Sequence, residues 1–530
     1  MKRILSWILI VTFLFSLAGC ASAHPAGAVS EETSEAAEDR VTLNWYINYN
    51  WFHTPWGGNA VSQAISEKTG VDIRFVSPDG NESVTLDALI SGNQLPDLIT
   101  LGWWEPQLDE MIQSGMVYAL NELADAYDPV FRQVAREELL NWYTEEDGNV
   151  YCYPNSAYTP SDYEGDYPIS SNQTFLVRSD IYEALGRPDM TTPEGFSNAV
   201  REAARQFPTV NGEPLIPIGA HEFTEDGCDS FDQFLQNFLA IPYEKDGKFY
   251  DRFTDPEYKQ WLKVFRQLGE EGLLCQDIFI DKRTQMEEKI AAGRYFCMLY
   301  QRTDMLDQQR ILAKASPDSI YIAVDGPRNS RGEDYRLPGS GINGWTVTLI
   351  SKNCADPEKA IRLLSFLISE EGQKLTMLGI EGEHYTMEDG RAVLTPEVRK
   401  LMQEDYQAYV AQIGANDSYW MLQDNRMQSL WKPLDEPEIL QMEQWTYPYL
   451  CYTAQYDAYF ELGSEADIAN KKVSAIHGQM LPKLLLAPTE AEFEKLWAEY
   501  VRSREDSGLA VMLEERTAQM NDAKQKLGME

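Results

Sequence analysis

Between residues 41 and 103 the apolar residues repeatedly change period, and this alternation constrains the fold more than any other feature. Val41, Leu43, Trp45 and Ile47 alternate with Thr42, Asn44, Tyr46 and Asn48, which predicts a strand. After the loop NYNWFHTPWGGN, Val61, Ala64, Ile65 and Lys68 have helical spacing, with Gly70 as the stop. Val71, Ile73 and Phe75 alternate again, and Leu86, Leu89 and Ile90 mark a second helix near 83–91. The turn Leu95-Pro96-Asp97 leads into a third strand, LITLGWW. Strand–helix–strand–helix–strand order implies an α/β fold with a mostly parallel sheet covered by helices.

The pattern recurs. Phe175-Leu176-Val177, Leu215-Ile216-Pro217-Ile218 and YFCMLY at 295–300 read as strands. Thr192-Pro193-Glu194 and Asp255-Pro256 read as helix starts, and 287–293 ends a further helix. A second parallel lobe is expected at about 172–326. Residues 328–342 are polar and turn-rich and read as a surface connection. Trp345, Val347 and Leu349 then alternate, and Asp356-Pro357 caps a helix whose segment AIRLLSFLI is apolar almost all round, hence buried. From about 396 the chain reads helical. Pro488-Thr489 with Glu492 has the form of a capping box, and 490–526 is a charged amphipathic tail.

Charge limits the partners. The 530 residues carry 45 Lys and Arg against 84 Asp and Glu, a formal charge of −39. Such a surface repels nucleic acid, whose binding rests on neutralised phosphates, and also anionic membranes. The N-terminus stands apart. Lys2 and Arg3 precede an apolar run at 4–17, about 21 Å long as a helix and short of the roughly 20 residues that span a bilayer. This is the form of a secretory signal, ending in Leu17-Ala18-Gly19-Cys20. That tetrapeptide resembles the lipobox of bacterial lipoproteins. The resemblance implies that residues 1–19 are removed and that Cys20 carries two acyl chains, enough for stable anchoring. Residues 20–40 then read as a flexible tether. Six cysteines remain, widely spaced and without C-x-x-C; paired and buried free thiols are both open readings.

Further segments occur in an order of their own: SGNQLPDLITLGW at 91–103, TFLVRSDIYEALG at 174–186 followed by TTPEGFSNAV, EEKIAAGRYFCML at 287–299, and SKNCADPEKAIRLLSFLISEEGQKLTMLGIEGEHY at 351–385. Together with the lipobox they resemble the extracellular solute-binding proteins (family 1, carbohydrate class) of ABC importers, in their large lipoprotein subgroup. The resemblance covers about 41–390 and is loose beyond 396. It implies two α/β lobes of the periplasmic-binding-protein type, each with a mostly parallel sheet, and a helical C-terminal region. The expected division is 41–160 with 328–395 as the N-terminal lobe and 172–326 with 396–530 as the C-terminal lobe. The implied function is capture of an oligosaccharide in the interlobe cleft and delivery to the transmembrane subunits of an ABC permease. The protein would be a monomer without cofactor or metal, lipid-anchored on the extracellular face of the cell membrane. Two other readings remain: a ligand-sensing adaptor for a membrane receptor, and a secreted glycoside hydrolase. The latter needs two carboxylates about 5–10 Å apart across the cleft.

Candidate ligand residues are sought at strand ends, where α/β folds bind ligands, and among the aromatics, a 12% share with 13 Trp and 28 Tyr. Flat rings cover the C–H faces of sugars, and planar polar groups satisfy the hydroxyls. The loop after the first strand carries Trp51 and Trp56; Trp103 and Trp104 end the third strand; Tyr153 and Tyr158 lie where the chain should cross between lobes. Glu222 comes after LIPIG, Tyr300 and Arg302 come after YFCML, Trp345 opens the returning strand, and Trp420 lies in the C-terminal part. Gly339, Gly341 and Gly344 spell G-x-G-x-x-G, but a strand comes next where a dinucleotide site needs a helix. There is no G-x-S-x-G and no H-E-x-x-H, and the five histidines are scattered. The segment FPTVNGEPLIPIG lacks the carboxylate series of the calcium loop found in some members of the resembled family.

Overall fold

The alternation seen in the sequence becomes nine principal strands. The computed structural model describes residues 40–165 and 167–529, so the expected signal peptide, Cys20 and all of the tether but Arg40 lie outside the described residues. The chain first lays down β1 (Val41–Ile47), β2 (Val71–Val76), β3 (Leu98–Gly102) and β4 (Cys152–Pro154). It then builds a second sheet from β5 (Gln173–Arg178), β6 (Ile216–Gly219), β7 (Tyr295–Gln301) and β8 (Tyr321–Ala323). It returns to the first sheet as β9 (Thr346–Ile350).

The first sheet has the order β2-β1-β3-β9-β4, and the second β8-β5-β7-β6. Both are mixed rather than mostly parallel. β1 runs parallel to β2 and β3, but β9 is antiparallel to both β3 and β4. In the second sheet β7 is parallel to β6, while β5 is antiparallel to β7 and β8. The cause is the wiring. β5 and β9 are the strands by which the chain enters a lobe from the other one, so they run away from the junction while their neighbours run toward it.

The first sheet is covered on both faces. Leu43, Trp45 and Ile47 join one core with the helix Pro357–Ile368, and Tyr46 joins the opposite core with Ile99, Leu101, Val347 and Leu349. The second sheet packs among Phe196, Trp261, Phe265, Leu481 and Tyr500. Helix starts obey local chemistry: Thr192 accepts the Gly195 N–H at 3.1 Å, and Asp356 accepts the Lys359 N–H at 3.0 Å. Where a calcium loop would lie, Thr209–Val210 pairs with Glu213–Pro214 around Asn211-Gly212, both at positive φ, as a tight hairpin needs.

Two segments sit elsewhere than their composition suggests. Residues 398–422, expected with the C-terminal lobe, place Val398, Tyr409, Tyr419, Trp420 and Leu422 in the core of the first sheet. Their apolar side chains complete the face left open beside β1. The polar stretch 328–342, read as a surface connection, is a crossing between lobes: Tyr335 and Leu337 are buried, and Leu337–Pro338 pairs with Leu450–Cys451. A further crossing leads from Trp431 to the helix Pro437–Thr446, whose Ile439 and Met442 pack under the second sheet. All six described cysteines are free thiols, four of them buried.

Candidate functional site

The register of the first sheet sets up the site. Thr346 of β9 lies opposite Gly102 of β3, so the start of β9 meets the ends of β1 and β3 at one edge. The residues just outside those ends are aromatic. Trp51 and Trp345 have ring centroids 6.2 Å apart and planes only 5° from parallel. Tyr49 stacks on Trp345 at 5.4 Å, and Trp420 closes on Trp345 at 4.5 Å. Trp420 is buried beneath, but Trp51 is 49% and Trp345 36% exposed, so indole faces stand free for a ligand.

Polar groups lie beside these rings. Glu105 accepts the Gly102 N–H at 2.6 Å and a hydrogen bond from Asn48 Nδ2. Burial pushes its carboxyl up to about 7, against the pull of those two donors. The Tyr49 hydroxyl is buried without a hydrogen-bond partner, and burial, with the Glu105 and Glu82 charges adding to it, holds it un-ionised. An orphaned buried hydroxyl costs about 1–3 kcal/mol.

Between the lobes lies a cavity of about 750 Å³. The first lobe contributes Met377 and Asn416, the second Gln301, Arg302 and Asp304, and the crossings Tyr158, Ser170, Ser340, Asn425 and Gln428. Its size falls in the range of small-molecule sites. Arg302 is fixed at its wall: Nε donates to the Ser171 carbonyl at 2.9 Å, Nη1 to Glu443 at 3.0 Å and Nη2 to Ser170 Oγ at 2.6 Å. The cavity and the ring cluster are linked through one crossing segment. The Asn155 carbonyl accepts the Trp345 N–H, and the neighbouring Ser156 Oγ accepts from Asn425 Nδ2 at 3.1 Å.

Of the residues singled out in the sequence, Trp51, Trp345 and Trp420 come together in the ring cluster, and Tyr158 and Arg302 line the cavity. Trp104, 46% exposed, folds back over Gly102 at the same sheet edge, and Trp103 meets it edge-on while packing on the core. The others are engaged elsewhere. Trp56 donates to Ser66 Oγ and packs against Tyr419 and Phe75. Tyr153 is buried, its hydroxyl accepting the Arg136 N–H at 3.1 Å. Glu222 pairs with Lys282, and Tyr300 is buried under His221, ring on ring at 4.2 Å. Sequence reasoning missed Tyr49, Glu105 and the amides Asn425 and Gln428. Tyr49 is flagged by its position two residues past β1; the amides carry no periodic signal.

His221 and Ser230 form a close pair but have no reactive freedom. Ser230 Oγ donates to the Leu299 carbonyl at 2.6 Å and lies 2.8 Å from both His221 N and Nδ1. His221 Nε2 accepts the Gln301 N–H at 3.3 Å, which assigns the ring proton to Nδ1. Burial pushes this imidazole down to about 4. No cluster of three metal-ligating side chains occurs among the described residues. The glycine trio serves the crossings instead of a nucleotide. A Cβ on Gly339 would meet Tyr163 Oη at 2.4 Å, one on Gly341 would meet Ala454 at 2.3 Å, and Gly344 has φ +70° against the Asn155 carbonyl.

No protein-family model matches the chain. It is 21% identical over 445 residues to the polygalacturonan/rhamnogalacturonan-binding protein YtcQ of Bacillus subtilis, covering 82% of this chain and 84% of that protein. It is 23% identical over 290 residues to the fructooligosaccharide ABC transporter substrate-binding protein FusA of Streptococcus pneumoniae, covering 52% and 53%. Among solved structures, the alginate-binding protein AlgQ2 without calcium ion superimposes with a TM-score of 0.68 at 18% identity, over 93% of this chain and all of that one. FusA in complex with kestose gives 0.66 at 15% identity, over 92% and 100%. The chain has the two-lobed, periplasmic-binding-protein-like fold of these binding proteins.

Proposed function

We propose that this protein is the substrate-binding component of an ABC importer, capturing an oligosaccharide between its lobes and presenting it to a permease. The observation that carries this reading is the pairing of half-exposed, near-parallel indoles at the first lobe's strand ends with an amide-rich cavity reached through the same crossing segment. Rings suit the C–H faces of a sugar, and amides, which donate and accept, suit its hydroxyls. The names of YtcQ and FusA, both glycan-binding, support the assignment. The ligand residues proposed are Trp51, Trp104 and Trp345 at the rings, backed from beneath by Trp420 and Tyr49, and Tyr158 and Arg302 at the cavity.

Closure of the lobes about the crossings is the signal a permease would read, a hinge motion common in binding proteins. Lipidation of Cys20 would hold the protein on the outer face of the cell membrane, its acidic body clear of the lipid. No helix among the described residues is long and apolar enough to cross a membrane. Binding without turnover is the proposed activity. Glu443, Glu287 and Asp307 at the cavity each hold an arginine and are engaged as counter-ions. Isothermal calorimetry of the purified protein against a panel of oligosaccharides tests the reading. Saturable binding supports it; binding only of peptides or other solutes would remove the sugar while leaving the transport role.

A further inference from the structure

We propose that the interlobe cavity selects uncharged oligosaccharides and rejects those built from uronic acids; this rests on the sugar-capture reading above. Five basic side chains face the cavity, against six carboxylates. Four of the five basic groups are paired with carboxylates, and the fifth, Arg391, is held only by backbone carbonyls. Arg283 Nε donates to Glu287 at 2.9 Å, with Asp304 3.4 Å from its Nη2. Arg302 is held by Glu443 and two serines, and Arg310 lies between Asp307 at 3.0 Å and Glu436 at 3.3 Å. Lys432 faces Asp435 at 3.4 Å, and Arg391 donates to the carbonyls of Ser429 and Lys432. Asp417 enters the lining with no ion-pair partner among the described residues.

A ligand carboxylate therefore meets one cation that carries no protein carboxylate, Arg391, among six carboxylates. To bind Arg283, Arg302 or Arg310 bidentately it would have to displace a protein carboxylate. At Arg302 that carboxylate is Glu443, whose side chain is only 13% exposed, and stranding it would leave a buried unpaired charge. A polyuronate would repeat this cost along its length, in the field of a chain of formal charge −39. Hydroxyls face no such cost. A paired carboxylate retains free lone pairs, and Asn425 and Gln428 both donate and accept. The cavity thus offers many hydroxyl partners and a single cation not already paired with a carboxylate, Arg391. In this it differs from what the name of YtcQ describes.

The test uses matched glycans on the intact mature protein. A galacturonic-acid hexamer is compared with its fully methyl-esterified form, beside neutral fructo-, gluco-, manno- and xylo-oligosaccharides, by calorimetry. The expected result is a neutral ligand whose Kd is unchanged as ionic strength rises from about 0.02 to about 0.5 M, and at least about 100-fold weaker binding of uronates. A uronate hexamer that binds as tightly as the best neutral glycan would overturn the inference and leave sugar capture standing. Absence of binding by every glycan would overturn sugar capture itself, and the inference with it. A second arm uses Asp307→Asn combined with Glu436→Gln, which together leave Arg310 without a carboxylate partner. It should shift the uronate-to-neutral affinity ratio about tenfold toward uronate. An unchanged ratio would show that the paired arginines do not set the selectivity.

Discussion

Trp51 and Trp345 lie 294 positions apart in sequence, yet their rings are within 5° of parallel, with centroids 6.2 Å apart. β1 hands one ring to the sheet edge as it ends, and β9 hands over the other as it begins. Both are partly exposed, so each contributes more to a ligand than to the core. Trp51→Ala and Trp345→Ala should each raise the oligosaccharide Kd about tenfold or more, about 1.4 kcal/mol, with little change in Tm. Calorimetry paired with thermal denaturation reads both. An unchanged Kd would move the sugar away from these rings.

Arg302 ties three chain segments together at the cavity wall. Arg302→Ala leaves Glu443 charged, nearly buried and unpaired, at a cost of about 3–5 kcal/mol. Arg302→Lys retains the charge but loses the fork, so it should fall between. Urea unfolding at neutral pH gives the order directly. Equal stability of all three proteins would mean that the pair is open to water in solution.

Glu105 makes stability depend on pH in the unusual direction. Its carboxyl titrates near 7 when folded and near the ordinary value, about 4.3, when unfolded. The folded state therefore holds the proton more tightly. The contribution of Glu105 is most favourable below about pH 4.3 and is lost as pH rises through 7. Glu105→Gln should remove that slope, so the gap between variant and parent should move in the variant's favour between pH 5 and 8. Denaturant midpoints measured across that range would reveal a constant gap if the carboxyl were in fact solvated.

His221 titrates low because it is buried, so it stays neutral down to about pH 4. Its neutral form is preferred by the fold, and the stability it contributes is lost only as pH falls below the unfolded value of about 6.5 toward 4. Ring-proton NMR should show no titration of His221 between pH 8 and 5. Ser230→Ala should cost about 1–3 kcal/mol, since it strips partners from His221 and the Leu299 carbonyl.

Gly344 holds two crossings together at φ +70°, where an added Cβ would lie 2.0 Å from the Asn155 carbonyl. Gly344→Ala should destabilise by at least about 2 kcal/mol and weaken ligand binding, because Asn155 also accepts the Thr346 N–H that starts β9. Normal binding with lowered Tm would confine the effect to folding.

The strands and helix caps of both lobes were legible because they rest on local periodicity and local chemistry: β1 alternates, and Thr192 and Asp356 each cap the helix that begins at the next residue. The direction of β5 and β9 was not, since it depends on which lobe the chain has just left. Nor was the place of Tyr409 and Trp420, whose helical spacing fits either lobe; only the open face beside β1 decides it. The ring cluster was half visible, as tryptophans at strand ends. Trp56 and Tyr153 looked the same in sequence and were claimed by Ser66 and by the Arg136 amide. The cavity's amides gave no signal, because crossings bring them together from segments without periodicity.

The mixed wiring also bears on when the molecule can form. The first core waits for Trp420 and Leu422, and the second for Phe493, Trp497 and Tyr500. The first core cannot be completed before Leu422 has been made, nor the second before Tyr500. Contacts of such long sequence separation form slowly. A chain wired in this way keeps both sheets open on one face until its late segments arrive, so a fragment that stops short of Trp420 would leave apolar surface bare in both lobes.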